Sequence, residues 1–226
     1  MVDKYVAKKY VTDKIGEEYI IPTLGVWDSA EDIDFDKLPD QFVLKCNHNS
    51  GGLVICKDKS KLDIAAAKDR LSKALKQDFY KFGREWPYKN VPRKILAEKF
   101  MVDESGFELK DYKFFCFNGQ PKFFKIDFDR FQNHRANYYD MEGTLLPFAE
   151  VECMPNPERK FELPSKFQDM VAIVSSLSAN IPFVRIDLYN INGQIYFGEI
   201  TFYPASGFGI IEPIEWDIKI GSWINI

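Results

Sequence analysis

Only two histidines and four cysteines occur in 226 residues, and no two cysteines form a C-x-x-C pair. A disulfide framework is therefore excluded at this length, and Cys46, Cys56, Cys116 and Cys153 read as reduced core residues. No run approaches the about 18 apolar residues of a membrane span. The first residues, Met1-Val2-Asp3-Lys4-Tyr5, lack the basic and apolar regions of a signal peptide, so the expected compartment is the cytoplasm. Excess positive charge is also missing: 30 Lys and Arg stand against 34 Asp and Glu, a net charge of -4, which argues against a nucleic-acid partner. Repeats, Gly/Ser linkers and low-complexity tracts are absent too. What is abundant is aromatic: 20 Phe and 11 Tyr favour strands and aromatic pocket walls, so the expected class is α+β.

Periodicity places the elements. Residues 4 to 19 have loose helical spacing, and Leu24 to Trp27 continue as strand or loop. Phe42 to Cys46 and Leu53 to Cys56 are short strands around the turn-rich Asn47-His48-Asn49-Ser50-Gly51-Gly52. Ser60 with Asp63 predicts a helix start. Leu71, Leu75, Phe79 and Phe82 form one apolar stripe that carries the helix to Gly83. Strands follow at Ile95 to Met101 and, as a hairpin around Asn118-Gly119, at Tyr112 to Phe117 and Phe123 to Phe128. A further strand pair is expected over residues 136 to 148, and a helix from Pro164 to about Asn180 on Phe167, Met170, Val171, Val174 and Leu177.

The last hairpin, Pro182 to Asn190 against Gln194 to Phe202, is informative through its register. A two-residue Asn192-Gly193 turn mixes charged and apolar residues on each face. A three-residue loop, Ile191-Asn192-Gly193, separates them. Val184, Ile186 and Leu188 then join Tyr196, Gly198, Ile200 and Phe202, while Arg185 and Asp187 join Glu199 and Thr201. The expectation is this second register, with Asp187 opposite Phe197 and Glu199 its diagonal neighbour. Two carboxylates so placed could share a magnesium or manganese ion; the alternative is an exposed face with an ordinary Arg185 ion pair.

These pieces together resemble ATP-grasp ligases: Lys45 entering Asn49-Ser50-Gly51-Gly52, a strand ending in Ala97-Glu98-Lys99-Phe100-Met101, and Arg185-x-Asp187 followed by Glu199-x-Thr201. Val43 to Gly52, Asp127-Phe128-Asp129-Arg130-Phe131 with His134, Asn137-Tyr138-Tyr139-Asp140 and Arg185 to Phe208 look like the teichuronopeptide-biosynthesis, or TupA-like, branch. The resemblance covers about residues 4 to 226 and implies an ATP-grasp fold, two α+β subdomains with antiparallel sheets gripping ATP. The implied organisation is a lead-in at 1–41, the remnant of a longer N-terminal region, a small subdomain at 42–101 and a large one at 102–226. Since members normally carry more sequence ahead of the grasp, a truncated chain that binds nucleotide but ligates weakly is one expectation.

The resemblance also implies roles. Lys45 touches the nucleotide phosphates, and Asn49, Ser50, Gly51 and Gly52 belong to the flap over them. Glu98, Lys99, Phe100 and Met101 hold the adenine, with Asp103 or Glu104 near the ribose. Asp187 and Glu199 hold the metal, with Thr201 where the family usually has Asn, and Arg185 faces the transferred phosphoryl group. Lys125 and Arg135, in a basic cluster with Arg130 and His134, bind anions, and His134 is a candidate general base. Ser206 and Gly207 lie near the acceptor. The implied activity is carboxylate–amine ligation through an acyl phosphate in cell-surface polysaccharide assembly, using ATP, Mg2+ or Mn2+, and a small or sugar-linked carboxylate and amine. No Ser-x-Gly elbow or Cys-His signature calls for a covalent nucleophile. A kinase with the same grip, or a non-catalytic nucleotide- or sugar-binding module, remains the alternative.

Overall fold

The computed structural model describes residues 1–103, 109–129 and 133–225. The chain divides into two compact units, one of Met1–Tyr10 with Ile20–Met101 and one of Val11–Tyr19 with Val102–Ile226. Helix α1 (Val6–Ile15) contributes its first half to one and its second half to the other. Among the described residues no helix is long and apolar enough to cross a membrane.

The first unit is built on strands β1 (Thr23–Trp27), β2 (Phe42–Cys46), β3 (Leu53–Cys56) and β4 (Ile95–Lys99), in the antiparallel order β1-β4-β2-β3. Phe42, Leu44 and Cys46 alternate with Val43 and Lys45, so one face of β2 feeds the core. There they meet Ala67, Leu71 and Ala74 of helix α2 (Ile64–Lys76). That helix starts at Asp63, whose carboxylate accepts from Ala66 N, rather than at Ser60. It also stops earlier than the apolar stripe predicts. Gln77 and Asp78 leave helical geometry, and a separate short helix α3 (Phe79–Gly83) follows, with Phe82 76% exposed instead of in the stripe.

The second unit carries a five-stranded antiparallel sheet in the order β10-β9-β5-β6-β7, made of β5 (Asp111–Phe117), β6 (Gln120–Phe128), β7 (Arg135–Tyr139), β9 (Phe183–Ile191) and β10 (Gln194–Thr201). A two-stranded sheet pairs β8 (Ala149–Glu150) with β11 (Ile211–Glu212), and helices α4 (Phe167–Ser178) and α5 (Ile214–Gly221) complete the unit. The strand pair expected at 136 to 148 is only β7 and a single bridge, Tyr139 to Leu145. The chain between them is turned by Asp140, which accepts from Glu142 N and Thr144 N. One face of the sheet packs on α4, with the Phe167 ring 5.8 Å from Phe114 and 5.1 Å from Phe124. The other carries a second aromatic cluster of Phe115, Phe117, Phe123, Tyr138 and Phe148. The α+β class with antiparallel sheets read from the sequence is the class observed.

Both long hairpins use one device. Asn118-Gly119 and Asn192-Gly193 have positive φ at both residues, the two-residue turn whose twist suits flanking strands. Each ladder then takes one extra residue. Phe117 pairs with Gln120 and Cys116 with Pro121, but Phe115 pairs with Phe123. Likewise Gln194 pairs with Ile191 and Phe197 with Leu188, but Glu199 pairs with Asp187. Pro121 has no N–H to give its ladder, and Gly198 leaves no room for a side chain, because a Cβ there would lie 3.0 Å from Asp187 O. The expected three-residue loop is therefore corrected: the turn has two residues, and a bulge at Gly198 restores the parity that the uniform two-residue register lacks. Tyr196 and Gly198 leave the α4-side set, and Phe197 takes their place opposite Leu188.

Candidate functional site

In the first unit the side chains of Lys45 and Glu98 emerge on the same face of neighbouring strands, β2 and β4. Glu98 is buried and receives two ammonium groups, Lys45 Nζ at 2.6 Å and Lys8 Nζ at 2.7 Å. Lys8 also donates to Ile21 O and Thr23 Oγ1. Burial alone would raise the Glu98 carboxyl, but the Lys45 and Lys8 cations outweigh it and hold it below the ordinary carboxylate value. Burial pulls the Lys8 ammonium down and the Lys45 charge adds to that, against the attraction of Glu98.

The loop after β2 is held at both ends. Asn47 donates to Pro92 O and accepts from Lys94 N, His48 Nε2 donates to Gln77 O, and Asn49 Nδ2 donates to Ala74 O at the end of α2. Lys4 Nζ donates to Asn49 O. Gly52 packs flush, since a Cβ there would meet Ala74 Cβ at 2.6 Å and Cys46 Sγ at 2.8 Å. Ser50 and Gly51 alone stand exposed, with Gly51 at φ 150. Asn49 and Gly52 are thus structural anchors of the loop as well as members of the sequence-derived set. After Glu98, Lys99 is exposed with its N–H donated to Pro22 O, and Phe100 and Met101 are half-buried. Asp103, in the second unit, is buried and accepts from Lys110 N. Glu104 and Arg130 lie outside the described residues.

In the second unit the register assembles a row across five strands. Glu199 faces Asp187, Asp187 faces Lys113, Lys113 faces Lys125 and Lys125 faces Tyr138. Asp187 and Glu199 are direct neighbours rather than diagonal ones, with Cβ atoms roughly 4.5–5.5 Å apart in such pairs. Arg185, one rung along and opposite Thr201, grips Asp187 through Nε at 2.7 Å and Nη2 at 2.9 Å, and lies 3.9 Å from Glu199. Burial pushes the Asp187 carboxyl up, with Arg185 and Lys113 pulling against it. Burial works against the Arg185 charge too, but Asp187 and Glu199 more than offset it and raise its pKa. Thr201 Oγ1 is buried with no hydrogen-bond partner among the described residues. Two opposed carboxylates and an orphaned hydroxyl form an oxygen-only donor set, which fits a hard divalent cation such as magnesium.

Lys125 donates to Glu150 at 2.7 Å and sits over the Tyr138 ring, and Arg135 opens β7. His134 Nε2 lies 2.8 Å from Asp127 Oδ1, whose other oxygen accepts from Lys113. Beyond β10, Ala205, Ser206 and Gly207 have positive φ in succession, backbone strain of the kind that collects at functional loops. Lys8, Lys113 and Glu150 escaped the sequence reading. Each is a lone charge in an unremarkable run and gains its place only through register or tertiary contact. A cavity of about 780 Å³ walled by Tyr138, Phe148, Met154, Ile210 and Ile214 is largely apolar and offers little to a polyphosphate.

The family model described as TupA-like ATPgrasp matches residues 1–225. No curated protein matches the sequence. Among solved structures, D-alanine–D-alanine ligase from Bacillus anthracis complexed with ATP superposes with a TM-score of 0.52 and 18% identity over 90% of this chain and 54% of that one. The enzyme of the same name from Helicobacter pylori gives 0.50 and 15% over 91% and 52%. The chain therefore spans about half the length of these structures, and the likeness is one of fold.

Proposed function

The chain belongs to the TupA-like ATP-grasp family, and from that premise we propose that it is an ATP-dependent carboxylate–amine ligase working in the assembly of a cell-surface polysaccharide. The observation that carries this reading is the Asp187–Glu199 register pair, gripped by Arg185 and flanked by the orphaned Thr201 hydroxyl.

Asp187 and Glu199, with Thr201 beside them, would hold magnesium or manganese, which when bound would neutralise phosphate charge. Arg185 presents a fixed guanidinium to the phosphoryl group in transfer, and Lys45, positioned by Glu98, is assigned to the nucleotide phosphates. Ser50 and Gly51 supply the exposed tip of the phosphate loop, and the backbone from Glu98 to Met101 is assigned to the adenine. Lys125 and Arg135 are assigned to the acceptor carboxylate, and the strained Ala205–Gly207 turn to the acceptor's surroundings.

In the first step a carboxylate oxygen attacks the γ-phosphorus, and ADP leaves with the bridging oxygen. In the second an amine nitrogen attacks the acyl carbon, phosphate departs, and the nitrogen loses a proton. A uronic acid or amino acid is the proposed carboxylate. The protein positions and neutralises, and it needs no covalent nucleophile.

The test is isothermal titration of ATP with and without Mg2+, in the wild type and in Glu199→Gln. Magnesium-dependent binding that the variant loses while remaining folded supports the assignment. Equal binding by the variant refutes the metal role. Turnover with uronic acids then separates the chemistries, since a ligase makes an amide only when amine is present, whereas a kinase releases ADP and a stable phosphorylated product without it.

A further inference from the structure

Asp127 near the end of β6, His134 just before β7 and Cys153 just after β8 are far apart in sequence, yet one donor atom from each lies within 4.8 Å of the other two. Two backbone links cause the convergence. Asp127 pairs with Ala136 in the sheet, and Ala136 N donates to Met154 O, so the neighbours of His134 and Cys153 are fastened to the same rung. Cys153 N also donates to Glu150 O, closing a turn that fixes the thiol.

We propose that Asp127, His134 and Cys153 hold a zinc-class divalent cation, at a site distinct from the Asp187–Glu199 pair, with a fourth position open to solvent. A carboxylate, an imidazole and a thiolate are the donors a borderline-soft ion prefers, and magnesium does not select sulfur. Zinc bond lengths of about 2.0 to 2.3 Å put neighbouring tetrahedral donors about 3.3 to 3.6 Å apart. The trio reaches that spacing by small shifts: the His134–Asp127 contact of 2.8 Å opens slightly and the thiol closes in. The His134 side chain is 45% exposed and free to make the adjustment, while Asp127 and Cys153 are buried.

The outer shell also suits a metal. Asp127 gives Oδ1 to the His134 side and Oδ2 to Lys113, so the ligating oxygen is oriented by a hydrogen bond to its twin, as outer partners of metal ligands do. Lys113, Lys125 and Arg135 lie around the site together with Asp111, Asp127 and Glu150. An ionised Cys153 would add a negative charge that the bound cation meets. A histidine–aspartate pair alone gives no reason for a buried thiol to converge on the same point.

The test uses the metal alone on the full chain, stripped of metal and titrated with Co2+. The expected result is one equivalent bound, a near-ultraviolet sulfur-to-cobalt band, and displacement by Zn2+ but not by a large excess of Mg2+. Cys153→Ser should abolish the band. His134→Asn, at a half-exposed position the fold tolerates, should weaken binding by about tenfold or more, with circular dichroism confirming that both variants fold. Absence of binding, binding without the sulfur band, or an unchanged band in Cys153→Ser overturns the proposal. Glu199→Gln should keep the band, so failure here and failure of the ATP reading are separate results.

Discussion

Replacing Glu98 by Gln leaves two half-buried ammonium groups facing an uncharged amide. The carboxylate side chain is 6% exposed and takes Lys8 at 2.7 Å and Lys45 at 2.6 Å, with the two lysine side chains 13% and 21% exposed. At an effective dielectric of about 20 each attraction at these distances is worth about 6 kcal/mol before desolvation is subtracted. Removing one partner of a buried pair costs about 3 to 5 kcal/mol, and the residual solvent access of the lysines points to the lower end, about 3 kcal/mol. For a chain of this size that is a fall of about 6 to 12 °C in Tm. The pH dependence gives a second, sharper check. Burial raises the Glu98 carboxyl, but Lys45 and Lys8 outweigh it, so its folded-state pKa lies below the ordinary 4.5. Its stabilisation is then fully present above that value and is lost as pH falls through the folded pKa. Thermal unfolding followed by circular dichroism should show the full gap between wild type and variant at pH 7, closing in acid below about pH 4.5. An equal Tm at pH 7, or a gap that persists unchanged into acid, would refute the reasoning.

Two further outcomes follow from packing. Gly198→Val places a side chain against Asp187 O and the Tyr189 ring, where even a Cβ would lie at 3.0 and 3.1 Å. It should cost about 1 to 3 kcal/mol in denaturant unfolding and weaken Mg-ATP binding by shifting Glu199 from Asp187. Burial pushes the Cys46 thiol up to about 11 and Cys116 up to about 12, so neither should react with a thiol reagent in the native protein at pH 8, while all four cysteines should react after denaturation. Rapid native labelling of Cys46 or Cys116, read by peptide mass, would contradict the burial described.

Short apolar runs bounded by turn residues, such as Phe42 to Cys46 before Asn47-His48-Asn49-Ser50-Gly51-Gly52, were legible because a buried strand leaves a brief hydrophobic run between polar and glycine-rich letters. The Asn118-Gly119 turn was legible because few other dipeptides take positive φ twice. The helix after Ser60 was overextended because the Leu71–Phe82 spacing continues through Asp78, whereas the chain breaks there and Phe82 turns to solvent. The last hairpin shows a subtler limit. The face assignment of Arg185, Asp187, Glu199 and Thr201 follows from burial pattern and is the face observed. The route to it was wrong, because a loop of three residues and a turn of two with a bulge give these four residues the same parity. Gly198 inside a strand was the available signal, as was Pro121 in the middle hairpin. Lys8, Lys113 and Cys153 left no trace, since their partners come from distant segments and nothing in local sequence encodes a tertiary contact.

The extra residue at Gly198 makes chain length a quantised variable in this hairpin. Deleting it with the turn intact would close the ladder into the uniform register, with Phe197 still opposite Leu188 and Glu199 still opposite Asp187. Deleting a second residue between Gly193 and Glu199 would carry Glu199 about 3.3 Å along the strand to face Leu188, turning the carboxylate to the α4 side and leaving Asp187 opposite Ile200. Letters along β10 can change one at a time, but the count between Gly193 and Glu199 behaves as a ruler with two settings, the native one and the one without the bulge. A library that varies this interval by length rather than by composition should therefore return function at the native spacing and at one residue fewer, and at no shorter length.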